Sequence, residues 1–194
     1  MNKVRIARMS QATDDHLVEQ TRQGDRLAYG ELIARYQVQV YHFSRRLLGS
    51  AQCAQDITQD VFIKAFLALD TWRPDAAFAA WLLRIARNAC LDVLRAQQRY
   101  PQVSFEAQIE HEQLVAHSLS AEEHAIQMQR LEQLEEALFK LSVEHREILL
   151  LRDIEGFSYQ EIAELLDINT GTVRSRLSRG RAALMQQINS GSDV

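Results

Sequence analysis

Apolar residues recur at three- and four-residue intervals along the chain, and no stretch alternates apolar with polar positions as a half-buried strand would. The spacing therefore predicts an all-α protein. Thr13 is placed to cap a short helix ending at Gly24, and Asp25 a longer one with Leu32, Ile33, Tyr36, Val40, Phe43 and Leu47 on one face until Gly49. Ser50 opens a third helix, which carries Ile57, Val61, Lys64, Ala65 and Leu69 and gives way near Thr71 to Pro74. A fourth is expected from roughly Asp75 to Gln98, with Phe78, Trp81, Leu82, Ile85, Ala89 and Leu94 facing inward.

From Tyr100 to about Leu119 the periodicity decays into a stretch rich in glutamate, glutamine and histidine, opened by Pro101. Two small helical domains are expected, 1–99 and 125–194, joined by a flexible linker over 100–124. Ser120 with Glu123 has the form of a capping box, starting a helix in which Leu131, Leu134, Leu138 and Leu141 recur. Ser142 can cap the next, with Ile148, Leu149 and Ile154 as apolar positions before Gly156.

A chain of 194 residues that is 46% hydrophobic can bury one sizeable core or two small ones, which excludes disorder throughout. No run approaches the roughly 18 to 20 apolar residues of a membrane span. The basic start, Lys3, Arg5 and Arg8, is not followed by the apolar middle of a secretory signal, so the expected location is the cytoplasm. Cys53 and Cys90 stand alone on apolar helical stretches, and none of the six histidines pairs with another at i, i+4. Neither a metal nor a cofactor is expected.

The net charge of −4 argues against a nucleic-acid binder, but its distribution does not. Residues 1–100 carry 14 basic against 10 acidic side chains, 101–130 carry 1 against 5, and 131–194 carry 7 against 11. Within the last segment Arg174, Arg176, Arg179 and Arg181 form a block with no acid between Ile168 and Ser192.

That block completes a helix-turn-helix pattern. Ser158 and Glu161 form a capping box ahead of Tyr159 and Gln160; Ile162 and Leu166 face inward; Ala163 is small where two helices cross. Asp167 to Asn169 make the turn, Asp and Asn being the side chains that best tolerate a positive φ. Thr170 then caps a second helix whose first residues, Gly171, Thr172, Arg174 and Ser175, are small or polar and can enter a major groove. Val173 and Leu177 hold this helix to its domain. Arg174, in the first turn, is placed for base edges, and Arg181, two turns on, for phosphate. The alternative is a solvated basic surface helix.

With these motifs the chain resembles the extracytoplasmic-function class of bacterial sigma factors over nearly its whole length. Gly24-Asp25, Ala28 to Leu32 and Tyr36 are similar to the opening of that family's domain two, and Asp56 to Ala65 to its core-polymerase-binding helix. Phe78, Trp81 to Asn88 and Asp92 to Arg95 are similar to the segment that engages the minus-ten element, with departures at Ala79 and Leu83. The helix-turn-helix resembles domain four, which reads the minus-thirty-five element. The resemblance implies an alternative sigma factor rather than an enzyme. Its partners would be RNA polymerase core, promoter DNA and an anti-sigma factor, and it would be a monomer when free, without membrane insertion.

On that resemblance Asp56, Gln59, Asp60, Phe62 and Ile63 are the expected core-polymerase contacts. By themselves Asp56 and Asp60 are a carboxylate pair that either awaits a basic partner or is merely solvated. Trp72, Phe78 and Trp81 around the Pro74 bend, with Arg84, Arg87, Asn88, Asp92 and Arg95 downstream, are the expected minus-ten contacts. Aromatic faces beside arginines suit unpaired bases, although the same rings can equally be core. Ser158, Tyr159, Gln160, Thr170, Gly171, Thr172, Arg174, Ser175, Arg176, Arg179 and Arg181 are the expected minus-thirty-five contacts. A plain helix-turn-helix regulator would explain the last third alone, and a metal-dependent phosphohydrolase would have to use Asp56, Asp60 and Asp92 with no second acidic pair.

Overall fold

The computed structural model describes residues 11–99 and 121–191, and these are helical with no strand among them. They fall into two compact units, one from Met1–Arg45 and Gln52–Ser104, the other from Arg46–Ala51 and Phe105–Val194. The linker expected at 100–124 lies outside the described residues up to 120, as does the Ser120 cap; residues 121–124 already belong to a helix.

The first unit holds α1 (Asp14–Arg22), α2 (Arg26–Leu48) as far as Arg45, α3 (Ala51–Leu67) from Gln52, a 3₁₀ turn (Leu69–Thr71) and α4 (Phe78–Arg99). The N-termini follow local chemistry: Thr13 Oγ1 accepts from the His16 amide and Asp25 Oδ1 from the Leu27 amide. Leu17, Val18, Leu32, Val40, Phe43, Leu82 and Leu83 form the core, with the free thiols of Cys53 and Cys90 buried as small apolar groups. An ionic clasp joins α1 to α2. Arg35 Nη1 lies 2.9 Å from Asp14 Oδ1, and the Tyr36 hydroxyl donates to the other Asp14 oxygen. Burial first, then this bond, pushes the Tyr36 phenol well above its ordinary range.

α4 starts at Phe78, three residues later than the periodicity suggested. The intervening residues form a turn after Pro74, with the Ala76 amide on the Arg73 carbonyl and the Trp72 indole N–H on the Ala76 carbonyl. Ala77 follows in an exposed position.

The second unit comprises α5 (Ala121–Phe139), α6 (Val143–Leu149) running into a π-helical turn (Leu150–Ile154), α7 (Tyr159–Leu166) and α8 (Thr170–Gly191). Ile148, Leu149, Leu150, Leu151, Ile162, Leu166, Val173 and Leu177 make its core; Ile154, expected inward, is exposed. Gly156 turns the chain into α7 at φ +78°, where a Cβ would be strained. Gly180 is buried on α8, and a Cβ there would already touch Leu149 Cγ at 3.4 Å, so α8 approaches α6 closely. Arg146 is buried although charged. Its guanidinium reaches the Leu138, Phe139 and Leu141 carbonyls at 3.1, 2.5 and 3.1 Å and lies 4.3 Å from the Phe139 ring centroid. It thereby closes the end of α5.

The capping box of α7 is complete: the Glu161 amide donates to Ser158 Oγ at 3.2 Å and the Ser158 amide to Glu161 Oε2 at 2.8 Å. The Ser158 side chain, then its amide, lowers the Glu161 carboxyl below its ordinary pKa. This contribution to stability is present above the unfolded-state pKa and lost as pH falls through the lowered one. Ser158→Ala is expected to cost about 1 kcal/mol at neutral pH and less in acid, measurable by thermal melts across that range. An equal loss at every pH would contradict the coupling of the Ser158 hydroxyl to the Glu161 carboxylate and leave only the hydroxyl's bond to the Glu161 amide.

Candidate core-polymerase and nucleic-acid interfaces

Along the outer face of α3, Asp56, Gln59, Asp60 and Ile63 all stand exposed in one stripe, and the stripe continues into Phe66 and Leu67, the last 78% exposed. Phe62 is the exception among the expected contacts: it is buried, although it is among the residues that line the groove beside the stripe. That groove, about 420 Å³, is lined by Arg26, Tyr29, Ile33, Phe62, Ile63, Phe66 and Leu67. Tyr29 stiffens it, its hydroxyl donating to the Phe62 carbonyl and its ring meeting Phe66 edge-on at 5.0 Å. Burial pushes the Tyr29 phenol up to about 12, so it stays a donor. Tyr29 enters the sequence reading only within the Ala28 to Leu32 run and not as a contact, and Phe66 and Leu67 do not enter it. The available signal was Ile63, Phe66 and Leu67 at helical spacing on the face opposite Ile57, Val61 and Ala65.

The aromatics around Pro74 lie elsewhere than a stacking surface requires. Trp72, Phe78 and Trp81 are only 3%, 2% and 6% exposed. Phe78 is their hub, with centroids 5.4 Å from Tyr36, 5.8 Å from Trp72 and 5.4 Å from Trp81. Large rings on the inward face of an amphipathic helix gain more from mutual burial than from water, so they form the floor of the turn and offer no face to a base. Exposed above them are Arg73, Pro74, Asp75, Ala76 and Ala77. Arg22 holds the start of this segment, its Nη2 2.9 Å from both the Leu69 and Trp72 carbonyls. On α4, Arg84, Asn88, Asp92 and Arg95 are exposed on one face. Arg87, half-buried, donates to Asn88 Oδ1 at 3.3 Å, and Arg95 pairs with Asp92 at 2.9 Å.

In the second unit α7 and α8 flank a turn in which Asp167 has φ +54°, the left-handed conformation expected between Leu166 and Asn169. The cap of α8 is Asn169 rather than Thr170. Asn169 Oδ1 accepts from the Thr172 amide at 2.7 Å and the Thr172 hydroxyl at 3.0 Å, taking the geometry a residue earlier. Thr170 and Gly171 are exposed, and the Ser175 hydroxyl donates to the Thr172 carbonyl. Ser158 and Gln160 are exposed on α7, Gln160 reaching Glu164 at 2.8 Å, while the Arg152 guanidinium sits 5.1 Å from the half-buried Tyr159 ring centroid.

The arginine block divides. Arg174 and Arg179 are exposed and form no ion pair among the described residues. Arg176 lies 3.6 Å from Glu144, and Arg181 forks onto Asp153, Nε to Oδ2 at 3.2 Å and Nη2 to Oδ1 at 2.6 Å. Arg181, expected to be available for phosphate, is thus engaged by a carboxylate from the π-helical turn.

Among the described residues, no group of three or more His, Cys, Asp or Glu side chains is placed to hold a metal ion, and no helix is long and apolar enough to cross a membrane.

The sequence profile of Sigma-70 region 2 matches residues 32–100 and that of Sigma-70, region 4 matches residues 131–184. The chain is 37% identical to the ECF RNA polymerase sigma-E factor of Escherichia coli (strain K12) over 183 residues, 92% of this chain and 95% of that one. It is 30% identical to the ECF RNA polymerase sigma factor SigW of Bacillus subtilis (strain 168) over 178 residues, 88% of this chain and 94% of that one. Its fold is similar to the sigma factor RpoE from Bartonella quintana, solved with the anti-sigma factor NepR. The TM-score is 0.66 at 27% identity, over 83% of this chain and 96% of that one. CnrH, solved with the cytosolic domain of CnrY, gives the same score and identity over 91% and 97%. Two helical units, a helix-turn-helix with a basic second helix, and relatives matched over 88% and 92% of the chain agree: the chain belongs to the extracytoplasmic-function family of RNA polymerase sigma factors and is an alternative sigma factor that directs transcription, not an enzyme.

Proposed function

We propose that the α3 stripe is where this chain docks on RNA polymerase core, and that the single feature carrying the assignment is its composition. Exposed carboxylates at Asp56 and Asp60 grade without interruption into the apolar groove at Ile63, Phe66 and Leu67. A basic helical partner would meet charge at one end and bury apolar surface at the other. Residues 1–99 then serve as domain two, with the 73–77 turn and the Arg84, Asn88, Asp92 and Arg95 face of α4 toward the minus-ten element. The buried rings position that turn. Residues 125–194 serve as domain four, Arg174 and Arg179 meeting the minus-thirty-five element with Ser158, Gln160, Thr170, Gly171, Thr172 and Ser175 around them. The protein acts in the cytoplasm and is monomeric when free. Since RpoE was solved with NepR, this chain too is expected to have an anti-sigma partner.

The test is a footprint on a candidate promoter with and without core polymerase. Protection of both elements only when core is present is the expected result. Protection of paired half-sites by the chain alone would mark a dimeric regulator and overturn the proposal.

A further inference from the structure

Of the four arginines on α8, Arg181 is the most firmly held, by both oxygens of a carboxylate that lies outside the helix-turn-helix. The two side chains are half-exposed, 50% and 41%, so the pair contributes little to folding. Its effect falls on the charge that α8 presents. A guanidinium forked onto a carboxylate has its best donors occupied and its charge locally cancelled, whereas Arg174 and Arg179 keep theirs. The hold comes from the end of α6. There the chain widens into a π-helical turn, with the Glu155 amide on the Leu150 carbonyl, and Asp153 faces α8. The Asp153 carboxylate, by its hydrogen bond first, also raises the Arg181 pKa.

We propose that Asp153 sets the upstream DNA affinity of this sigma factor: by retaining Arg181 it withholds one phosphate contact from the recognition helix and so weakens binding to every upstream sequence alike. The proposal rests on α8 meeting the minus-thirty-five element. A phosphate contact adds affinity to every sequence alike, so a withheld one lowers affinity for promoter and random DNA by the same factor and leaves the choice between them to the base contacts.

The test uses holoenzyme reconstituted from core polymerase and the full chain. Its affinity is measured between about 50 and 200 mM salt on a promoter duplex and on the same duplex with a scrambled upstream element. Asp153→Asn, nearly isosteric, is expected to tighten binding to both duplexes. It should also steepen the salt slope by about 0.9, so that its advantage shrinks about 3.5-fold across that range. The gain should vanish when Arg181→Ala is added. Unchanged or weaker binding by folded Asp153→Asn would overturn the proposal, as would a gain that persists without Arg181, which is an effect of net charge alone. Arg174→Ala run in parallel separates this failure from that of the underlying reading. If it lowers promoter affinity but not affinity for the scrambled duplex, α8 reads the element whatever Asp153 does. If it changes neither, the reading of α8 fails and the proposal with it.

Discussion

Replacing Asp60 by Arg should weaken binding to core polymerase by about 30- to 1,000-fold, the loss of roughly 2 to 4 kcal/mol that follows when an interfacial charge is set against a like partner. The side chain is exposed on α3 and makes no contact that folding needs, so the variant should melt with the wild type. Leu67→Ala tests the apolar end of the same stripe. At 78% exposed, Leu67 contributes little to the fold, and truncating it should cost about 1 to 2 kcal/mol of core affinity if the groove is covered on docking. Competition against a labelled sigma factor for core measures both. A folded Asp60→Arg variant that competes as well as wild type would remove α3 from the interface.

The largest effect on stability is expected at Arg146. Arg146→Ala leaves the Leu138, Phe139 and Leu141 carbonyls without their donor and opens space beside the Phe139 ring. Each hydrogen bond from a charged donor is worth about 1.5 to 3 kcal/mol, and the bonds are not additive, so a loss of about 3 kcal/mol is expected. In a domain of this size that lowers the melting temperature by on the order of 15 °C. Burial depresses the Arg146 pKa to about 10, still far enough above neutrality to keep the charge in place. Arg146→Lys should recover only part of the loss, because an ammonium cannot fork across carbonyls as a guanidinium does. Calorimetry checks the series, and Lys melting with the wild type would show that charge, not the planar fork, is what the end of α5 requires.

Features set within a few residues were legible in the sequence. Thr13, Asp25, Ser142 and Ser158 cap where they were placed, and Gly24, Gly49 and Gly156 take positive φ at the ends of their helical segments. Asp167 takes the left-handed position predicted for the turn. The cap of α8 was displaced by one residue because Asn169 and Thr170 are both competent caps and composition cannot rank them. The start of α4 was displaced because Asp75, Ala76 and Ala77 suit a helix well enough, while the Trp72 indole takes the Ala76 carbonyl for a turn. What stayed hidden depends on partners distant in sequence. The floor of aromatic rings needs Tyr36 brought beside Phe78, and the groove needs Tyr29 beside Phe66. Arg181 meets an acid 28 residues away, invisible to any count of charges along α8.

The central claim is that this one chain, given core polymerase, selects promoters through both units. Run-off transcription with purified core on a library randomised at both upstream elements tests it most directly. The account predicts transcripts only when the chain is added, from templates enriched at two separate elements. It further predicts that Arg174→Ala relaxes the upstream preference alone, by about 1 to 3 kcal/mol at one or two positions. Transcripts independent of the chain, or enrichment at a single element unaffected by Arg174→Ala, would contradict it.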